Sequence, residues 1–289
     1  MSDRDVHALP NPLGGERRFW TWRNYEIAYV RRGDGPPVVF VHSIHAAAWS
    51  MEWRNVVPAL SEKFTTFSLD LLGFGASEHP PIHFTSELYV DLLRDFLREV
   101  VKAPASLIGC SLGATYCIAV AAHHPELVTH VCAIGPAGIT RLRAPGGAAS
   151  GWVEKLLRTP SAGATLFSAL VSKSSMRRFL KDIYWDKSVL TDDVLDLFWI
   201  AAHQENARFA PAAFVGMKLN LDVREDLRTM PCPFMLVWGE HAAQTPLEES
   251  TPIRELRPDS PFVILPGADL PYEESPKAFV DAVLPFLES

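Results

Sequence analysis

The sequence predicts an α/β fold, a mostly parallel central sheet with helices on both faces and an inserted block of helices. Three observations lead there. Short β-rich runs alternate with stretches of helical periodicity, the signature of strands joined by crossover helices. A tight-turn motif, Gly109-Cys110-Ser111-Leu112-Gly113, falls between an apolar run and a helical one. The alternation then lapses over residues 137–225, where large aromatic side chains accumulate.

In chain order, "FWTWRNYEIAYVRR" predicts an opening hairpin, and "PVVFVH" (Pro37 to His42) and "FTTFSLD" (Phe64 to Asp70) predict buried strands. A helix over "MEWRNVVPALSE" would connect them. In "SELYVDLLRDFLREVV" the residues Leu88, Leu92, Phe96 and Val100 share one helical face, as a covering helix requires. "ASLIGC" reads as a strand and "LGATYCIAVAAHHP" as a helix that Pro125 closes, which leaves Ser111 at their junction. After the strand "VTHVCAIG" and the loose "APGGAASG", residues 137–225 are expected to form a helical cap carrying Trp152, Phe167, Phe179, Tyr184, Trp185, Phe198, Trp199, Phe209 and Phe214. Strand and helix resume with "PFMLVWG", "PFVILP" and "SPKAFVDAVLPFLES". Residues 1–136 and 226–289 are therefore expected to form the core.

A chain of 289 residues with 48% hydrophobic content can bury a sizeable core. Its net charge of -7, with no basic block, argues against nucleic acid or an anionic membrane as partner. A small apolar molecule is the expected partner, with self-association left open. No apolar run is long enough to span a bilayer and "MSDRDVHALPNPLGG" lacks the apolar stretch of a secretory signal, so a cytoplasmic location is expected. Cys110, Cys117, Cys132 and Cys232 show neither CxxC nor metal-ligand spacing and read as reduced core thiols. Neither a metal nor a cofactor is implied.

Several stretches together carry a family resemblance. The Gly-x-Ser-x-Gly follows an apolar strand and precedes a helix, "VVFVHSIHAAAWSMEW" presents His42, Ser43, Ile44 and Trp53, and "LDLLGFGASEHP" presents Asp70, Gly73, Gly75 and Ser77. Over nearly its whole length the chain resembles the α/β-hydrolase family. The resemblance implies Ser111 as nucleophile and the backbone N–H groups of Ile44 and Leu112 as oxyanion donors. Ser43 stands where the family has glycine, and either tightens that loop or offers a further hydroxyl donor.

The acid and base depart from the pattern. The family's acid position, three residues after Gly239, holds Ala242, and the loop that usually reads Pro-Gly-Ala-Gly-His-Leu-Pro is here Pro266-Gly267-Ala268-Asp269-Leu270-Pro271. None of the ten histidines follows His241. A triad is a geometry rather than an order along the chain, so a swapped Ser111-His241-Asp269 relay is one expectation, and two solvated loop residues the other. His45 either points into the substrate pocket or caps its loop. His203 and Trp199, on a helix of the cap, either overhang the site as substrate contacts or face solvent. His42 and Asp70 read as residues that order their own turns.

Two functions follow. One is an ester hydrolase, or a related acyl-transfer or lyase enzyme, using Ser111 with a weakened or unconventional base. The other is a protein that has kept the pocket and lost the triad, acting by binding a ligand or by confinement, as a cyclase or lyase would.

Overall fold

A computed structural model describes residues 9–289. His7 and the start of the stretch read for a signal lie outside them. The strands are β1 (Glu16–Trp22), β2 (Tyr25–Arg32), β3 (Pro37–Val41), β4 (Thr65–Leu69), β5 (Ala105–Cys110), β6 (Val128–Ile134), β7 (Phe234–Gly239) and β8 (Phe262–Leu265). They form one sheet of order β1-β2-β4-β3-β5-β6-β7-β8, in which β2 pairs antiparallel with β1 and β4 and all other pairs are parallel. The hairpin turns on Arg23 and Asn24, both at positive φ (49° and 69°), as the right-handed twist of a two-residue hairpin demands.

Alternation within each parallel strand builds two apolar layers. Val39 and Val41 of β3 join Leu107, Val131 and Leu236 on one face, while Val38 and Phe40 join Ile108, Cys132 and Val237 on the other. Both faces are covered, so these strands are apolar throughout rather than alternately polar. On the first face lie α2 (Ser86–Phe96), α3 (Leu112–His123) and α9 (Arg224–Thr229); on the second lie α1 (Val57–Leu60) and α12 (Pro276–Leu287). The four cysteines are free and buried. Among the described residues no helix is long and apolar enough to cross a membrane.

One local expectation is corrected. "MEWRNVVPALSE" is not one helix but a 3-10 turn (Ser50–Trp53) followed by α1. Pro58 lacks an N–H and sits in the first turn of α1, the helix position where that loss costs least. The buried face of α2 consists of Tyr89, Leu92, Leu93 and Phe96, with Leu88 at its margin. Its continuation, Leu97–Val101, winds as a π turn closed by the Lys102 N–H on the Leu97 carbonyl (2.8 Å), and Val100, like Leu88, packs partly buried against the same core as Leu92 and Phe96, as a covering helix requires.

Between β6 and α9 run α4 (Ala148–Arg158), α5 (Ala162–Leu170), α6 (Lys173–Ile183), α7 (Asp192–Ala202) and α8 (Phe209–Val215). After β7 come α10 (Ser250–Leu256) and, before α12, α11 (Pro271–Glu274). The helical insertion is tied to the core beneath it. Tyr184, fully buried, donates its hydroxyl to Glu273 Oε2 (2.8 Å), which also pairs with Arg54 Nη2 (2.7 Å). Glu274 accepts the Ala268 N–H (2.6 Å) and the Asp186 N–H (2.7 Å), binding the end of α6 to the loop after β8.

Burial raises the Glu273 carboxyl above the usual carboxylate range against the pull of Arg54. The folded state then holds that proton more tightly than the unfolded chain does, so stability from this group falls as pH rises from the ordinary carboxylate pKa toward the folded one. Arg54→Met strands a buried carboxylate and should cost about 3–5 kcal/mol at neutral pH. The loss should shrink in mild acid, where Glu273 takes up a proton. Urea unfolding at the two pH values measures it, and an equal loss at both would contradict the assignment.

Candidate active site

Ser111 lies between β5 and α3 with φ 53° and ψ −122°, a conformation that costs a non-glycine residue on the order of 1–3 kcal/mol. Its neighbours make the turn possible by contact. A Cβ on Gly109 would come within 2.7 Å of the Ala114 backbone, and one on Gly113 would run into the carbonyls of Val41 and His42. The Ser111 backbone is pinned at both ends: its N–H donates to Ile134 O (3.0 Å), and its carbonyl accepts from the N–H groups of Thr115 (3.2 Å) and Ala137 (3.3 Å). Its Oγ has no hydrogen-bond partner among the described residues.

Leu112 opens α3, so its N–H has no acceptor within the helix, and the helix's positive end faces Ser111. The Ile44 N–H, at the end of neighbouring β3, is also unengaged among the described residues. Its loop is held from below by Glu52, fully buried, which accepts the Ser43 hydroxyl (2.7 Å), the Ser43 N–H (3.1 Å) and the Tyr272 hydroxyl (3.0 Å). The Ser43 hydroxyl is thus spent on tightening the loop. Burial alone would raise the Glu52 carboxyl, but the neighbouring His45, His42 and Ser43 outweigh it and hold it below the ordinary range.

His45 is buried with both ring nitrogens facing protein. Nδ1 accepts the Ala47 N–H (3.2 Å), and Nε2 lies 3.4 Å from Glu52 Oε1, at ion-pair distance but outside hydrogen-bond geometry. Its ring lies between Phe179 and Phe198 of the insertion, each 5.8 Å away. His42 donates from Nδ1 to its neighbour's carbonyl (2.6 Å) and accepts the Leu71 N–H at Nε2 (3.1 Å). Burial lowers its pKa, which suits this neutral ring. Asp70 binds the N–H groups of Ser50 (2.8 Å) and Ala76 (2.9 Å), ordering its turn.

The swapped relay is not formed. The His241 ring stacks on Trp185 with centroids 3.7 Å apart, and the carboxylate beside it is Glu240, 4.0 Å from Nε2. Asp269 turns instead to the loop after β7, accepting the N–H groups of Ala243 (3.2 Å), Gln244 (3.0 Å) and Thr245 (3.2 Å). Burial raises its carboxyl despite those three amides. A loop shortened by one residue carries a short acidic side chain here, and backbone donors lie closer to it than any imidazole. His203 is likewise turned away: it is exposed, bonded at Nδ1 to Trp199 O (2.8 Å) and stacked on the Trp199 ring (4.2 Å), lining a separate cleft of about 150 Å³. Trp199 spends its faces on His203 and on Lys173, whose Nζ is 5.3 Å from the ring centre.

Sequence reasoning missed Glu52 and Tyr272. Their signal was weak: an acidic residue beside Trp53 in an apolar stretch, and a tyrosine three residues past Asp269. Among the described residues no group of His, Cys, Asp and Glu is placed to hold a metal ion. Since His241 does not touch Ser111, His241→Ala should leave the rate of Ser111 labelling by a fluorophosphonate within about twofold. A relay would lose ~10²–10⁴-fold, and a loss of that size would reinstate it.

Comparison with known proteins agrees with this architecture. Residues 38–282 match the profile of the "Alpha/beta hydrolase family". A 2-hydroxy-6-oxo-6-(2'-aminophenyl)hexa-2,4-dienoic acid hydrolase of Metapseudomonas resinovorans is 26% identical over 282 residues, covering 93% of this chain and 90% of its own. A pimeloyl-[acyl-carrier protein] methyl ester esterase of Aeromonas hydrophila is 26% identical over 268 residues, covering 90% of this chain and 99% of its own. In fold the chain is similar to the crystal structure of a serine hydrolase involved in carbazole degradation, with a TM-score of 0.79 at 24% identity over 95% of this chain and 99% of that one. An enol-lactonase from Burkholderia xenovorans gives a TM-score of 0.76 at 19% identity, over 94% and 100% of the two chains. With its elbow, its sheet order and a match spanning most of its length, the chain belongs to the α/β-hydrolase family.

Proposed function

We propose that this protein is a slow serine-dependent hydrolase of a small, largely apolar carbonyl compound, working without an imidazole on its nucleophile. One observation carries the reading: Ser111 is held in a strained turn with an unbonded Oγ, beside two unengaged backbone amides. Strain of this kind persists where it serves a site. In this reading Ser111 attacks the substrate carbonyl, and the N–H groups of Ile44 and Leu112 receive the oxyanion, helped by the positive end of α3. The serine proton passes to water, because no histidine nitrogen reaches Oγ. An acyl-enzyme forms as the leaving group departs, and water then releases the acid.

Elbow and oxyanion donors without the rest of a triad still accelerate hydrolysis ~10³–10⁴-fold over water. Such a site suits substrates whose leaving group departs without a proton. The relatives act, by name, on a methyl ester and on a dienoic acid, and both fit a carbonyl carbon held at the elbow. Phe179 and Phe198 would give that pocket an apolar wall, with the helical insertion as its cap.

A second reading, a ligand-binding or confinement protein, is favoured by Asp269, whose carboxylate is fully occupied by loop amides. Fluorophosphonate labelling separates the two. Stoichiometric labelling at Ser111, absent in Ser111→Ala, supports the hydrolase; a folded protein that stays unlabelled supports the binder. The hydrolase reading also predicts repair. Ala242→Asp, combined with replacement of Asp269 by Gly-His, should raise Ser111-dependent ester hydrolysis by about 10²-fold or more. A folded repaired variant with no gain would mean that the pocket itself has left hydrolysis.

A further inference from the structure

We propose that a cleft between the helical insertion and the core, separate from Ser111, binds an apolar α-amino acid. The cleft measures about 540 Å³ and runs between α4 and the loop leading into α2. That size is typical of small-molecule sites. None of Ser111, Ile44, Leu112 and His45 lines it.

Its chemistry centres on Glu154. This residue lines the cleft, is 7% exposed, and has no hydrogen-bond partner among the described residues. The nearest cationic group is His83 Nδ1, 3.8 Å away on a side chain that is itself 82% exposed. Its carboxylate oxygens stay in contact with solvent at the cleft and take no protein donor among the described residues, so they are open to a ligand. A ligand ammonium brings three N–H donors and a compensating charge.

The rest of the lining is mainly basic, with Phe84 and the small residues Thr85, Gly151 and Thr159. Arg158 is already used, donating to Ile82 O (2.8 Å) with its guanidinium over the Phe209 ring (4.9 Å), so it builds the wall. Lys218 has no ion-pair partner among the described residues, and Lys155 has only the Trp152 ring, 6.0 Å away. These two free cations line the same cleft as Glu154, on a chain whose net charge is -7. Phe84 supplies an apolar floor. A simple anion would be repelled by Glu154, and a simple amine by the lysines. A ligand with ammonium and carboxylate on one carbon, and an apolar side chain for Phe84, satisfies all three.

Isothermal titration at low ionic strength tests this with L-phenylalanine, phenylpropionate (no ammonium) and phenethylamine (no carboxylate). L-phenylalanine should bind saturably, and each half-ligand about tenfold more weakly or worse. Glu154→Gln should lower L-phenylalanine affinity about tenfold while strengthening phenylpropionate, which loses a repelling charge. Lys218→Ala, at an exposed position where folding is not at stake, should weaken L-phenylalanine and spare phenethylamine. No saturable binding by the unmodified protein up to about 10 mM, or equal affinity in both variants, would overturn the proposal.

Discussion

The site depends on a close approach at Gly113. There the first turn of α3 passes so near the end of β3 that a single Cβ would meet the carbonyls of Val41 and His42. That contact brings the start of α3 against the end of β3, from which the loop carrying Ile44 leaves. It also leaves Ser111 no relaxed conformation, since its N–H must reach Ile134 while its carbonyl serves Thr115 and Ala137. The positive φ of Ser111 follows from those obligations. Packing at one glycine is thereby converted into a half-buried, unbonded hydroxyl at a positive helix end.

Around this point the loops that usually carry a histidine and an acid have acquired different ties. Asp269 gathers three amides of the loop after β7 and so stitches together the two segments that a His-Asp pair would otherwise join. Glu52 performs a similar service on the other side, linking Ser43 and Tyr272, and so joining the oxyanion loop to the start of α11. Glu52 is buried and Asp269 half-buried, and both carboxylates are satisfied by fixed donors, an arrangement that rigidifies its surroundings. The frame around Ser111 is thus held by contacts that leave its Oγ without a hydrogen-bond partner among the described residues.

The fold was legible because it rests on patterns of short range. Apolar runs such as "PVVFVH", the glycine pair around Ser111, and the turn-forming Arg23-Asn24 each carry their structure locally. Pro58 was equally visible, yet the helix reading ran through it because apolar spacing on both sides outweighed one breaker. Site geometry was far less legible. Whether His241 reaches Ser111 depends on Trp185, a residue from the insertion that stacks on its ring, and no spacing along the chain encodes that contact. His203 took the second of its two expected places, facing solvent, where it stacks on Trp199 one turn back. Glu52 gave only a weak signal, because a buried carboxylate is recognisable only once its donors are known.

The central claim is that Ser111 reacts without an imidazole base. The pH dependence of single-turnover acylation of Ser111 by an activated ester tests it most directly. Without a histidine in reach, the rate should keep rising with hydroxide concentration from mild acid to mild alkali, with no inflection near the ordinary imidazole pKa of about 6.5. A rate that levels off above that pH, with the plateau lost on replacing one histidine, would contradict the account and identify the base.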